Sequence, residues 1–109
     1  MVGEKMSIQL SVVVPVHNEN ENLRPLIEEI VAAVSSLGAY EIIYVDDGSS
    51  DDTLARLQAL SAEFSVLRVL RHVKCCGQST AVRTGVIAAR GVVIATLRSE
   101  EHTSELQSH

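Results

Sequence analysis

Three short stretches of the sequence carry side chains able to do chemistry. The first is Val45-Asp46-Asp47-Gly48-Ser49, two adjacent carboxylates at the end of an apolar run. Side chains alternate across a strand, so the two carboxylates cannot point the same way. One is expected to turn toward a helix terminus and structure the loop, while the other faces a crevice. A carboxylate in that second position accepts hydrogen bonds from the N–H edge of a uracil or guanine ring. The same composition also makes an ordinary turn and helix N-cap, and spacing alone does not separate the two readings.

The second stretch, Pro15-Val16-His17-Asn18-Glu19, follows another apolar run. Pro15 removes a backbone donor and fixes the chain direction. The His17 ring is able to stack on a nucleobase. Glu19 is able to accept from a sugar hydroxyl or to help cap the next helix. A capping segment with an exposed histidine is the plainer alternative. The third stretch, Gly77-Gln78-Ser79-Thr80-Ala81, opens a helix with small residues, whose free N–H groups suit an anion such as a diphosphate. His72 and Cys75 suggest a nucleophile pair, but the sequence offers no evident orienting acid. Neither G-x-G-x-x-G nor G-x-x-x-x-G-K-[ST] occurs, so dinucleotide-binding and phosphate-loop enzymes lose their main support.

These stretches sit at the ends of apolar runs of strand length that alternate with helical patterns. Ile8 to Val16 is nearly continuous and β-branched, as in a strand buried on both faces. Leu23, Leu26, Ile27, Ile30, Val31, Val34 and Leu37 form an apolar stripe at helical spacing, and Gly38 sits where a C-terminal cap belongs. Glu41 to Val45 predicts a second strand. Ser50 is placed to cap a second helix, with Leu54, Leu57 and Leu60 on its buried face. A third strand is expected at Val66 to Leu70, a third helix up to about Arg90, and a fourth strand at Val92 to Leu97. Gly85 and Ala81 would let the third helix pack closely on the sheet.

This order predicts an α/β fold, a Rossmann-like parallel sheet with right-handed crossovers. Strand order 3-2-1-4 is expected, and ligands in such sheets bind beyond the carboxyl ends of the strands. Pro15 to Glu19 and Asp46 to Ser49 both fall there.

The 109 residues fit one small domain or part of a larger one, and aromatics make up only 3%, so the core must be aliphatic. A net charge of −5 with no basic stripe argues against a nucleic-acid partner. No run of about 18 apolar residues marks a membrane span. Cys75 and Cys76 are the two cysteines and are neighbours, which suits a reducing compartment, so a cytoplasmic location is the default. The residues from Arg98 to His109 (RSEEHTSELQSH) break the pattern. They read as a foreign or disordered tail, and the string resembles the conceptual translation of a sequencing-library adapter.

Together, SVVVPVHNENENL, EIIYVDDGSSDDT and CGQSTAVRTGVIAARG resemble the N-terminal half of family 2 glycosyltransferases over residues 7–97. Within that family the pattern is most like the dolichyl- and polyprenyl-phosphate sugar synthases. The resemblance implies an incomplete GT-A nucleotide-binding half, and transfer of a sugar from a UDP- or GDP-sugar to a lipid phosphate. It implies that Pro15, His17 and Glu19 line the nucleotide pocket, and that Asp47 contacts the base with Val45 beside it. Asp46 would be more structural. His17 stands where the family often has tyrosine, and Cys75 where asparagine is frequent. The resemblance also implies Mg²⁺ or Mn²⁺ in the full-length enzyme, held by an Asp-x-Asp after the fourth strand. Here Arg98-Ser99-Glu100-Glu101 stands there instead, so this chain is expected to bind no metal and to lack transfer activity. No catalytic residue is identified. A lipid-phosphate acceptor implies that the full-length protein works at the cytoplasmic face of a membrane. The alternative is a nucleotide-binding module without catalysis. A receiver-like signalling domain fails on placement, since the first strand ends in Pro15-Val16-His17 and the third runs into Arg71-His72-Val73-Lys74.

Overall fold

The structure, a computed structural model, describes residues 7–98. The tail reading therefore lies outside the described residues, apart from Arg98. The elements are β1 (Leu10–Val16), α1 (Leu23–Val34), a 3₁₀ turn (Ser35–Leu37), β2 (Tyr40–Asp47), α2 (Thr53–Glu63), β3 (Leu67–His72), α3 (Gln78–Ala88) and β4 (Val93–Thr96). The strands form one sheet in the order β3-β2-β1-β4, as the sequence implied. All three pairings are parallel.

The apolar continuity of β1 and β2 has its reason in that order. Both strands are central, and helices cover both of their faces. Alternation sends Val12, Val14, Val16, Ile42 and Tyr44 toward α1 and α2, where they meet Leu23, Ile27, Ile30, Leu57 and Leu60. Val13, Ile43 and Val45 face α3 and pack around Ala81. A Cβ on Gly85 would stand 2.4 Å from Val13 Cγ1, so this helix lies on the sheet as closely as a glycine allows.

The boundaries differ from the sequence reading in instructive ways. β2 continues through both aspartates, with Asp46 in register with Val16 and Asp47 with His72. β3 correspondingly runs two residues beyond the expected Leu70. Polar residues stay in a central strand here because each finds partners in a neighbouring loop. Leu37 leaves the buried stripe: the tighter 3₁₀ pitch rotates it outward, and it is 62% exposed. Gly38 ends that turn at φ +114°. Ser50 does not cap α2. Asp51 does the local work, its carboxylate accepting from the Thr53 amide at 2.9 Å and from the Thr53 hydroxyl.

Glu41, at the start of β2 and almost wholly buried, is the polar hub at the opposite end of the sheet. Its carboxylate accepts from Ser11 Oγ at 2.6 Å, the Arg90 amide at 2.7 Å and Arg68 Nη1 at 2.8 Å. Gly91 N in turn donates to Ser11 Oγ at 2.8 Å, which fixes the turn between α3 and β4. Burial alone would raise the Glu41 pKa, but the Ser11, Arg90 and Arg68 hydrogen bonds outweigh it and hold the group below its ordinary 4.5. A depressed folded-state pKa contributes stability that is present above the unfolded value and lost as pH falls through the folded one.

Two outcomes follow. Glu41→Gln should cost about 2 kcal/mol near neutral pH, and it should flatten the decline in thermal midpoint that the parent chain shows below pH 4.5. Equal acid limbs in the two proteins would contradict this role. Among the described residues, the Tyr44 hydroxyl is the buried side-chain polar atom without a hydrogen-bond partner. Tyr44→Phe should therefore leave the midpoint unchanged or raise it, as thermal unfolding followed by circular dichroism will show.

Candidate functional site

The carboxyl ends of β1 and β2 and the turn between β3 and α3 enclose a cleft of about 210 Å³. Pro15, Val16 and His17 supply one side, Asp47 the middle, and Cys75, Gly77 and Gln78 the other. Three of the five candidate binding residues, Pro15, His17 and Asp47, thus line one space. Val45 does not: it is fully buried beneath α3, one alternation step behind Asp47. Glu19 lies outside the lining, and its amide donates to Thr53 Oγ1 at 3.0 Å.

The two aspartates point to opposite faces, as alternation requires, yet each organises a loop. Asp46 accepts from the Ser49 hydroxyl and, at 3.4 Å, from the Ser49 amide. The Ser49 hydroxyl also accepts from the Asn18 amide at 2.8 Å, and Asn18 Oδ1 accepts from the Ser50 amide at 2.8 Å. Asn18 adopts φ +52°, a conformation asparagine tolerates better than most residues. It thereby stitches the loop after β1 to the loop after β2.

Asp47 faces the cleft and α3. Its Oδ1 accepts from the Cys76 amide at 2.9 Å and from His72 Nδ1 at 2.8 Å. Its Oδ2 accepts from the Gly77 amide at 2.9 Å and, more weakly, from Cys75 Sγ at 3.4 Å. Burial opposes ionisation, but the Cys76 amide, His72, the Gly77 amide and the Cys75 thiol overcome it and set the pKa at about 2. The start of α3 was expected to offer its amides to an outside anion. Asp47 is that anion for Gly77 N, placed at the positive end of the helix.

The Asp47 main chain positions the other wall. Its carbonyl accepts from His17 Nδ1 at 2.8 Å, and Asn18 Nδ2 lies 3.3 Å from His17 Nε2. The ring edge is pinned at both nitrogens, while the residue remains exposed. A flat, oriented ring beside a buried carboxylate can hold a planar heterocycle by stacking and edge hydrogen bonds.

Sequence reasoning saw no acid to orient His72. The structure supplies Asp47, and the other ring nitrogen meets Thr84 Oγ1 at 2.8 Å, so His72 pairs with no cysteine. The signal was the pairing of Asp47 with His72 across β2 and β3, which requires a register that one sequence does not reveal.

The model of the family described as "Glycosyl transferase family 2" matches residues 11–99. A dodecaprenyl-phosphate galacturonate synthase of Rhizobium johnstonii is 41% identical over 93 residues, covering 84% of this chain and 28% of that protein. A dolichol-phosphate mannosyltransferase of Pyrococcus furiosus is 38% identical over 100 residues, covering 91% of this chain and 28% of that protein. A solved mannosyltransferase of Pyrobaculum calidifontis, in complex with GDP-Man and Mn²⁺, superposes with a TM-score of 0.67 at 22% identity. That likeness covers 87% of this chain and 28% of the other, and it shows the shared fold. The chain thus spans less than a third of the length of the curated relatives it matches.

Gly48 is the backbone hinge of the cleft. It sits at φ +69°, and a Cβ there would stand 2.4 Å from Cys75 N and 2.5 Å from Lys74 C, both backbone atoms. Gly48→Ala should cost at least about 1–3 kcal/mol from conformation alone. In a domain of this size, each kcal/mol lowers the thermal midpoint by about 4–8 °C. A variant melting with the parent would show that the turn relaxes freely.

Proposed function

Since the chain belongs to glycosyl transferase family 2, we propose that its cleft binds the nucleoside part of a sugar nucleotide. The whole protein then transfers the sugar from a UDP- or GDP-sugar to a polyprenyl or dolichyl phosphate. The observation that carries this reading is the pairing of a pinned, exposed His17 ring with the buried, ionised Asp47 in one cleft. His17 stacks on the base and Asp47 accepts from its N–H edge. The cleft is smaller than the roughly 300–1,000 Å³ of a complete small-molecule site, in keeping with a pocket for one part of a longer ligand.

Asp47 already accepts four hydrogen bonds, two on each oxygen. A base N–H must therefore displace one of them. The Cys75 thiol is the weakest donor and lies at the cleft, so it is the one that yields.

The acceptor class is supported by the names of the relatives, which include synthases and transferases acting on dodecaprenyl, dolichol and undecaprenyl phosphates. In such a transfer the bond from the anomeric carbon to the diphosphate breaks. A phosphate oxygen of the lipid forms the new bond, and the nucleoside diphosphate leaves. Among the described residues no helix is long and apolar enough to cross a membrane. The lipid acceptor places the reaction of the full-length protein at the cytoplasmic face of one.

The family implies Mg²⁺ or Mn²⁺ beyond β4. Among the described residues that strand is followed by Leu97 and Arg98, which offer no side-chain oxygen to a hard cation. No step is therefore assigned to a metal there, and nucleotide binding without turnover by this chain is kept as the second reading.

Calorimetry of the chain with UDP and with GDP tests the shared core of both readings. Binding of one nucleotide is expected, with His17→Ala weakening it about tenfold, the loss of one base stack. Absence of heat with either nucleotide would remove the proposal, and measurable sugar transfer by this chain would remove the second reading.

A further inference from the structure

His72 is the side chain that the nucleotide cleft leaves unexplained. It stands at the end of β3, its side chain 14% exposed, with both ring nitrogens engaged. Thr84 Oγ1 lies 2.8 Å from His72 Nε2 and donates its single proton to the Thr80 carbonyl, 3.1 Å away. The Thr84 hydroxyl thus anchors the far side of the ring at Nε2. On the other side Nδ1 faces Asp47 Oδ1 across 2.8 Å. A histidine whose far N–H is anchored to an oxygen, with its near nitrogen aimed at a carboxylate, has the orientation seen around bound metals.

Cys76 completes the set. One ligand atom from each of Asp47, His72 and Cys76 lies within 4.8 Å of the other two. Donors of a tetrahedral zinc centre stand about 3.3–3.6 Å apart, given a Zn–S bond near 2.3 Å and Zn–N near 2.0–2.1 Å. The Cys76 side chain is exposed, and its Sγ makes only a 3.3 Å contact to the Lys74 carbonyl, so a side-chain rotation closes the difference. The backbone is already in place, because the Cys76 amide donates to Asp47 Oδ1 at 2.9 Å.

We propose that Asp47, His72 and Cys76 form a Zn²⁺ site at the edge of the cleft, separate from any cation bound after β4. Thiolate, imidazole and carboxylate together suit a borderline-soft ion, whereas Mg²⁺ prefers oxygen donors alone. The ion takes the place of the hydrogen bond between His72 and Asp47, whose ligand atoms part from 2.8 Å to the donor spacing of the zinc centre. The Cys76 thiol proton leaves to solvent on binding, so affinity rises with pH. The fourth position opens toward the cleft that Asp47 lines. The three ligands come from β2, β3 and the turn before α3, so the ion also ties these segments together.

The test uses the 109-residue chain without nucleotide, titrated with Co²⁺ as a spectroscopic probe and with Zn²⁺ as competitor. A thiolate-to-cobalt charge-transfer band is expected in the near ultraviolet, erased by Zn²⁺, and Zn²⁺ should raise the thermal midpoint. Cys76→Ser should abolish the band and weaken Zn²⁺ at least tenfold, His72→Asn should weaken it by a similar factor, and Cys75→Ser should keep the band and lose clearly less affinity than Cys76→Ser. No charge-transfer band, or parent-like Zn²⁺ affinity in Cys76→Ser, overturns the site. Equal losses in the two cysteine variants would identify a vicinal dithiol instead and also overturn it. Should His72→Asn fail to fold, the exposed Cys76 and its neighbour decide the matter alone.

Discussion

One ionised carboxylate, buried where β2 ends, holds the functional end of this molecule together. Taking a charge out of water is expensive unless the protein returns the hydrogen bonds that water gave. Asp47 receives them from two successive amides, a histidine and a thiol, of which the amides and the thiol lie in the turn between β3 and α3 and the histidine at the end of β3. The carboxylate is therefore the keystone of the turn between β3 and α3. Its main-chain carbonyl orients His17 on the facing wall, so one residue sets both sides of the cleft.

Such dense bonding brings constraints on the backbone. The amides of Cys76 and Gly77 converge on one side chain only because the turn passes against Gly48, where no Cβ fits. Gly77 itself takes φ +102° as the chain bends into α3. At the far end of the same strand Glu41 performs the matching task on the turn after α3. Glu41, Ile43, Val45 and Asp47 share one face of β2. Polar ends strap the helix termini, and the apolar middle packs beneath a helix that Gly85 allows to lie close.

Periodicity made the architecture legible. The number of strands and the α1 stripe rest on local pattern, which a single sequence carries, whereas the strand order was an expectation from how parallel crossovers are arranged, and the sheet has that order. The acidic pair was also legible as lying on opposite faces, since alternation is a property of one strand. What alternation does not tell is the partner. His72 and the Cys76 amide reach Asp47, and Thr84 reaches His72, only through the β2–β3 register and the path of the following turn, and both are tertiary. For the same reason Glu41 passed as an ordinary strand residue, because Ser11 and Arg90 are 30 and 49 positions away. Val45 shows the converse: a position beside the key aspartate in sequence is one layer beneath the cleft in space.

The molecule is asymmetric in a way that bears on its function. Polar cross-links crowd the β1–β2–β3 side, where the cleft lies and where the loops are tied to one another. On the other flank β4 is an edge strand, and Val92, Val93 and Ile87 are exposed there at 76%, 58% and 75%. A strand edge with apolar side chains invites further pairing. The cleft lined by His17 and Asp47 is therefore organised by contacts within residues 7–98, away from the exposed edge of β4. Recognition of the nucleoside and chemistry at the sugar are then separable physical problems. Under the proposed function the first falls to the cleft that the Asp47 hydrogen bonds shape, and the second to residues outside that cleft.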